Sequence, residues 1–135
     1  MIPDRGLRYL IKLIHGELSY KLIGILYKIY NTIGGGFQEK YYQRAIKNVL
    51  TKEKIQFLEQ VRVDFDLLGT NIGRYYIDFV IDRKIVLEIK VRNIFSKRDI
   101  KQVLGYLKKT GIEVGILASF TSDGIKLKRI LRGYS

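Results

Sequence analysis

The chain has 135 residues, 47% of them hydrophobic, enough for one domain with one core and too few for two. Its 25 Lys and Arg against 13 Asp and Glu give a formal charge of +12, an excess that favours a polyanionic partner, nucleic acid first and an anionic membrane second. Without cysteine, disulfides, thiolate zinc sites, cysteine-ligated clusters and thiol nucleophiles are excluded.

The N-terminal stretch interleaves Arg5, Arg8 and Lys12 with apolar residues, and no run approaches the roughly 18 apolar residues of a membrane span. A cytoplasmic protein with no membrane partner is expected. Residues 1–17 read as a peripheral extension of a single domain spanning 1–135, with Leu7 to Ile14 compatible with a short helix. The only histidine, His15, falls there and is expected at the surface, so a Ser-His-Asp triad or a multi-histidine metal site has no material.

Leu18, Leu22, Ile25, Leu26, Ile29 and Ile33 recur at helical spacing up to Gly34-Gly35-Gly36, which predicts a helix stopped by the glycines. Phe37 to about Lys54 reads as a second helix with Tyr42, Ile46 and Val49 on one stripe and Glu39 on the same stripe. From Phe57 to Leu67, Val61, Val63, Phe65 and Leu67 alternate with Arg62, Asp64 and Asp66, the pattern of a half-buried strand. Gly69 to Gly73 is expected to turn the chain. Strands follow at about Arg74 to Ile81 and Ile85 to Val91, joined tightly through Asp82-Arg83-Lys84 to complete a three-stranded meander. Ser96 is a candidate N-cap for a helix ending at Thr110-Gly111, buried through Ile100, Val103, Leu104 and Leu107. Val114 to Phe120 is a short apolar strand, and Ile125 to Leu131 fits an edge strand or a last helix. Most of the ten tyrosines are expected in the core.

Asp78 and Glu88 each interrupt an apolar strand, and a carboxylate there stays ionised only if it is paired, hydrogen-bonded or bound to a cation. A hairpin loop centred on Arg83 puts position 78 opposite 88, with Cβ atoms roughly 4.5 to 5.5 Å apart, where like charges repel. Strand alternation projects Glu88 and Lys90 from one face and Ile85, Leu87, Ile89 and Val91 from the other. Two carboxylates and the Ile89 carbonyl are a reasonable shell for a hard cation such as Mg²⁺. Such an ion can acidify water and offset charge on a phosphate, with Lys90 as a point-charge donor. Structural ion pairs with Lys90 and an arginine are the competing account of the same acids. Acid-x-Lys also occurs at Asp82-Arg83-Lys84, on a turn, and at Asp99-Ile100-Lys101, on a helix face expected to be exposed.

With its flanking segments this arrangement resembles the PD-(D/E)XK nuclease superfamily: Asp78 stands as the first acid, Glu88-Ile89-Lys90 as the acid-x-lysine, and Ile77 replaces the family's proline. Gly36, Glu39 and Tyr42 match the pattern of the GxxExxY family, and Gln102 to Tyr106 resembles the QxxxY element of RecB-like and lambda-exonuclease-like branches. The resemblance runs from about Leu18 to Phe120 in the right order. It implies a restriction-endonuclease-like α/β fold, with a central mixed sheet of about four to five strands flanked by helices. It also implies an Mg²⁺-dependent nuclease, Mn²⁺ substituting, with DNA the expected substrate. Glu39 would add a carboxylate near the metal, and Gln102 and Tyr106 would sit beside the site. Arg92, Lys97, Arg98 and Lys101 form a basic loop and helix start suited to phosphate contacts. Small nucleases of this type often need a homodimer or a partner protein to surround a duplex. The alternative is an inactive basic nucleic-acid-binding module with the same fold.

Overall fold

The computed structural model describes residues 14–133, so Arg5, Arg8, Lys12 and, apart from Ile14, the short helix considered at 7–14 lie outside the described residues. Helix α1 (Gly16–Ile33) buries Leu22, Ile25, Leu26 and Ile29, the stripe its spacing predicts. Helix α2 (Glu39–Lys52) buries Tyr42, Ile46 and Leu50; Leu50 completes the stripe and Val49 stays partly buried at its margin. Between them, Gly36 has φ +93°, a conformation that L side chains resist. A Cβ on Gly35 would lie 2.3 Å from the Thr121 carbonyl oxygen, so the backbone there can approach the sheet only as glycine.

The sheet has five strands in the order β1 (Phe57–Leu67), β2 (Thr70–Ile81), β3 (Ile85–Lys90), β4 (Val114–Thr121), β5 (Gly124–Leu131). All neighbours run antiparallel except β3 and β4, which are joined through helix α3 (Lys97–Thr110). The tail is therefore an edge strand, and β3 stops at Lys90, leaving Val91 exposed. The turn expected at Gly69 to Gly73 is instead the two residues Leu68 and Gly69, at φ 50° and 80°, with Thr70 already paired to Leu67. Positive φ at both positions is what a two-residue hairpin loop requires. A register shift between Phe65 and Asp66 breaks the alternation, and Leu67 is exposed rather than inward.

Two apolar layers cover the sheet. Phe79, Ile81, Ile85, Leu87, Ile89 and the inner residues of β4 pack with α1 and α2, while Val63, Ile77, Val80, Val86 and Leu117 pack with Val103, Tyr106 and Leu107 of α3. Strict alternation would put Ile77 and Phe79 on one face, yet they lie in opposite layers, as do Phe57 and Val61. Both strands turn over at one level. In β1 the reversal falls at Gln60, held at φ 51°, and in β2 it falls at Asp78, which lies between the Phe79 and Ile77 that pair with Glu59 and Val61. A left-handed residue inside a strand acts as a bulge that re-aims its neighbours.

Two glycine substitutions separate close approach from helix propensity. Gly35→Ala should destabilise by about 1–3 kcal/mol, because backbone must move to admit the methyl. Gly24→Ala, in α1 with nothing within 4 Å of the added Cβ, should stabilise by roughly 0.5–1 kcal/mol. Urea unfolding of the two variants measures both, and a neutral Gly35→Ala would contradict the packing of this loop on β4.

Candidate active site

The β2–β3 ladder runs from Ile81↔Ile85 to Phe79↔Leu87 and ends there, although β3 continues to Lys90 against β4. Beyond that rung the strands fork. The Asp78 amide donates to Glu88 Oε1 at 3.2 Å, and the Ile89 amide donates to Asp78 Oδ2 at 2.8 Å. Position 78 is thus at the level of 88, as the loop count predicts, but carboxylates replace ladder carbonyls as acceptors. Each acid keeps a second oxygen. Asp78 Oδ1 accepts from Gln43 Nε2 at 3.2 Å, and Glu88 Oε2 lies 3.8 Å from Lys90 Nζ.

Gln43 also donates to Glu39 Oε1 at 3.3 Å, tying the first turn of α2 to Asp78. The spacing of Glu39 and Gln43 marks one helix face, and that signal was available in the sequence without being drawn. Burial is the largest influence on all three acids. It raises the Glu39 carboxyl, with the Asp78 charge adding to it. It raises Asp78 against the opposing Ile89 amide and Lys90. It pushes Glu88 up to about 8, reinforced by the Asp78 charge.

Lys90 Nζ is held by Gln102 Oε1 at 3.3 Å and lies 3.8 Å from Asp99 Oδ1. Asp99 is 2% exposed, which corrects its expected place on an exposed face. It closes a capping box with Ser96, each side chain accepting from the other's amide at 3.1 and 3.0 Å, and it binds Arg92. Burial opposes its charge, but the Ser96 amide and hydroxyl, Arg92 and Lys90 outweigh that and hold the carboxyl below its usual range. Tyr106 is buried, and burial followed by the Glu88 and Asp78 charges pushes its phenol up, with Gln102 partly offsetting them. Tyr106 therefore stays a neutral donor near the acids.

The structure thus gathers Asp78, Glu88, Glu39, Lys90, Gln102 and Tyr106 around the fork, with Gln43 and Asp99 in addition. Arg92, Arg98 and Lys101 border an adjoining groove, whereas Lys97 does not line it. Tyr42 lies outside the chemistry: its hydroxyl donates to the Gly34 carbonyl at 2.7 Å and its ring stacks on Phe120 at 4.2 Å. For a divalent cation the donors are all oxygen, from the buried Asp78 and Glu88 and the half-buried Glu39, and Asp78 repels both others. Among the described residues no three acidic or histidine side chains form a ready-made cage. A hard divalent cation can be held by one or two carboxylates with retained waters.

The family model of the PD-(D/E)XK nuclease superfamily matches residues 16–130, and the chain belongs to that superfamily. Its mixed five-stranded sheet flanked by helices is the restriction-endonuclease-like fold. Among solved structures, the crystal structure of SSO0001 aligns with 21% identity and a TM-score of 0.53, over 71% of this chain and 50% of that one. An alkaline exonuclease (LHK-Exo) from Laribacter hongkongensis aligns with 15% identity and a TM-score of 0.50, over 98% of this chain and 72% of that one. The chain thus spans half the length of the first and about seven-tenths of the second, and at these identities the likeness concerns the fold. No curated protein matches significantly. Among the described residues, no helix is long and apolar enough to cross a membrane.

Glu88 gives stability a pH dependence of definite sign. Between its ordinary 4.5 and about 8, the folded chain retains a proton that the unfolded chain has lost, so stability falls as pH rises through that window. With a chelator present, the thermal midpoint should decline across this range. Glu88→Gln, which keeps an acceptor for the Asp78 amide, should flatten the decline and raise the midpoint at its alkaline end. A variant that tracks the wild type at every pH would contradict the burial of a titrating Glu88.

Proposed function

We propose that the chain is a divalent-metal-dependent nuclease that hydrolyses phosphodiester bonds, with DNA as substrate. The observation that carries this reading is the pair Asp78 and Glu88 fixed across the β2–β3 fork by backbone amides, with Lys90 beside them and Glu39 linked through Gln43. Asp78, Glu88 and the Ile89 carbonyl would hold Mg²⁺, or Mn²⁺ in its place, with Glu39 the further carboxylate. The bound ion would supply an acidified water and compensation for phosphate charge.

The protein's own groups take the remaining roles. Lys90, fixed by Gln102 and Asp99, donates to the phosphoryl oxygen on which charge develops. Gln102 and Tyr106 fix Lys90 and the edge of the site. Arg92, Lys97, Arg98 and Lys101 hold flanking phosphates, contacts that position a backbone without reading sequence. Within the superfamily we assign the chain to the GxxExxY family near the RecB-like and lambda-exonuclease-like branches. Gly36, Glu39 and Tyr42 support this, because the Tyr42 hydroxyl fastens the glycine loop just ahead of Glu39.

Purified protein with Mg²⁺ or Mn²⁺ should nick or degrade DNA. Glu88→Ala and Lys90→Ala should each lower the rate by about a hundredfold or more while the chain stays folded and still binds DNA. Equal cutting by wild type and variants would assign the activity to a contaminant. Salt-dependent binding with no cutting under either metal would make the protein a binding module.

Metal binding is open to separate measurement. Calorimetric titration with Mn²⁺ should give heat that disappears in Asp78→Asn, and an unchanged isotherm in that variant would remove Asp78 from the site.

A further inference from the structure

Of the tyrosines among the described residues, only Tyr42 and Tyr106 are buried, and Tyr75 is 46% exposed, contrary to the expectation that most line the core. Tyr75 projects from β2 beyond the fork and meets Phe65 of β1 edge to face, with centroids 5.4 Å apart. Gly73 leaves room for the ring, since a Cβ there would come within 3.1 Å of it. Together with Ile72, 66% exposed, these rings form one wall of a groove of about 770 Å³. Arg98 and Lys101 of α3 form the other wall, and Lys90, Gln102 and Tyr106 line it as well, so the groove is continuous with the acid site.

We propose that this groove binds an unpaired nucleic-acid strand next to the scissile phosphate, with Tyr75 stacking on a base and Arg98 and Lys101 taking the phosphates. The proposal rests on the nuclease reading for its substrate and adds the strand state to it. The strand side is flat and apolar, while the α3 side carries Arg98 and Lys101 beside an Asp99 already bound to Arg92, and an unpaired nucleotide likewise has an aromatic and an anionic side. In a duplex the base faces are stacked on one another, so an aromatic wall finds nothing to stack on, whereas a single strand offers a π-face at every base. The volume lies in the range of pockets that enclose small organic ligands, roughly 300 to 1,000 Å³, and the groove is open at the surface for a chain to pass.

The test is binding in chelator, where no cutting occurs, of a labelled oligodeoxythymidylate and of a hairpin duplex of equal length, followed by anisotropy. Wild type should prefer the single strand. Tyr75→Leu should weaken single-strand binding about tenfold with little effect on the duplex, and Tyr75→Phe should retain it. A 2-aminopurine base in the oligonucleotide should be quenched by wild type and by Tyr75→Phe, but not by Tyr75→Leu. Unchanged single-strand binding in Tyr75→Leu, or an equal loss for both probes, would overturn the proposal. Tyr75-dependent binding by a protein that cuts nothing with Mg²⁺ or Mn²⁺ would support the groove while removing the nuclease reading. Cutting that Tyr75→Leu leaves unaltered on both substrates would remove the groove and leave the nuclease reading standing.

Discussion

The site depends on a fork in the sheet between β2 and β3. A backbone amide inside a sheet must find an acceptor or bear the penalty of a buried unsatisfied donor. Past Phe79 and Leu87 no strand carbonyl serves, and the Glu88 and Asp78 carboxylates accept from the Asp78 and Ile89 amides instead. The acids proposed for the chemistry are therefore structural as well. Each gives one oxygen to the backbone, while the other oxygen of Asp78 accepts from Gln43 and that of Glu88 lies 3.8 Å from Lys90 Nζ. The same separation lets the distal arm of the β1–β2 hairpin stand away from β3, and the arm's inner face becomes the aromatic wall opposite α3.

Charge at the fork is arranged in opposition. Burial raises three acids, and the Asp78 charge raises Glu39 and Glu88 further, a state that a bound cation would relieve. Asp99 is the exception, held below its usual range among Ser96, Arg92 and Lys90. Because it both caps α3 and faces Lys90, the start of that helix and the position of the ammonium are set together. The +12 formal charge favours a polyanion at the surface, but a reacting phosphate would still meet carboxylates. Lys90 and a metal would have to neutralise that local field.

The acid-bearing hairpin was legible because a symmetric loop at Arg83 fixes register by counting alone, and Ser96 was legible because a capping residue leaves a local signature. Gln60 was not legible. Glutamine carries no signal for the left-handed conformation at φ 51°, so alternation read back through it from Val61 puts Phe57 on the wrong face. Leu68 hid the hairpin turn for the same reason, and the glycines that follow drew the turn too late. Asp99 read as exposed because its cationic partners, Lys90 and Arg92, come from the end of β3 and the residues after it, and the pattern of the helix itself carries no trace of that. Tyrosine identity by itself leaves burial open, and Tyr75, 46% exposed, lines the groove between the β2 arm and α3 instead of the core.

The C-terminal end of β4 links these parts. Lys90 pairs with Ser119 across the parallel ladder, and the Ser119 hydroxyl donates to the Arg92 carbonyl, which fixes the chain as it leaves β3. Two residues further on, the Thr121 carbonyl accepts from the Tyr30 hydroxyl at 2.6 Å and is the atom against which Gly35 packs. Tyr42, stacked on Phe120, holds the same glycine loop that delivers Glu39. One short segment of β4 therefore positions both the Lys90 strand and the Glu39 helix, although the two are far apart in sequence. The site lies outside the carboxyl ends of the two parallel strands, the place where open α/β sheets bind their ligands. Here that place is reached because β4, the strand between the lysine and the glycine loop, contributes anchors rather than acids.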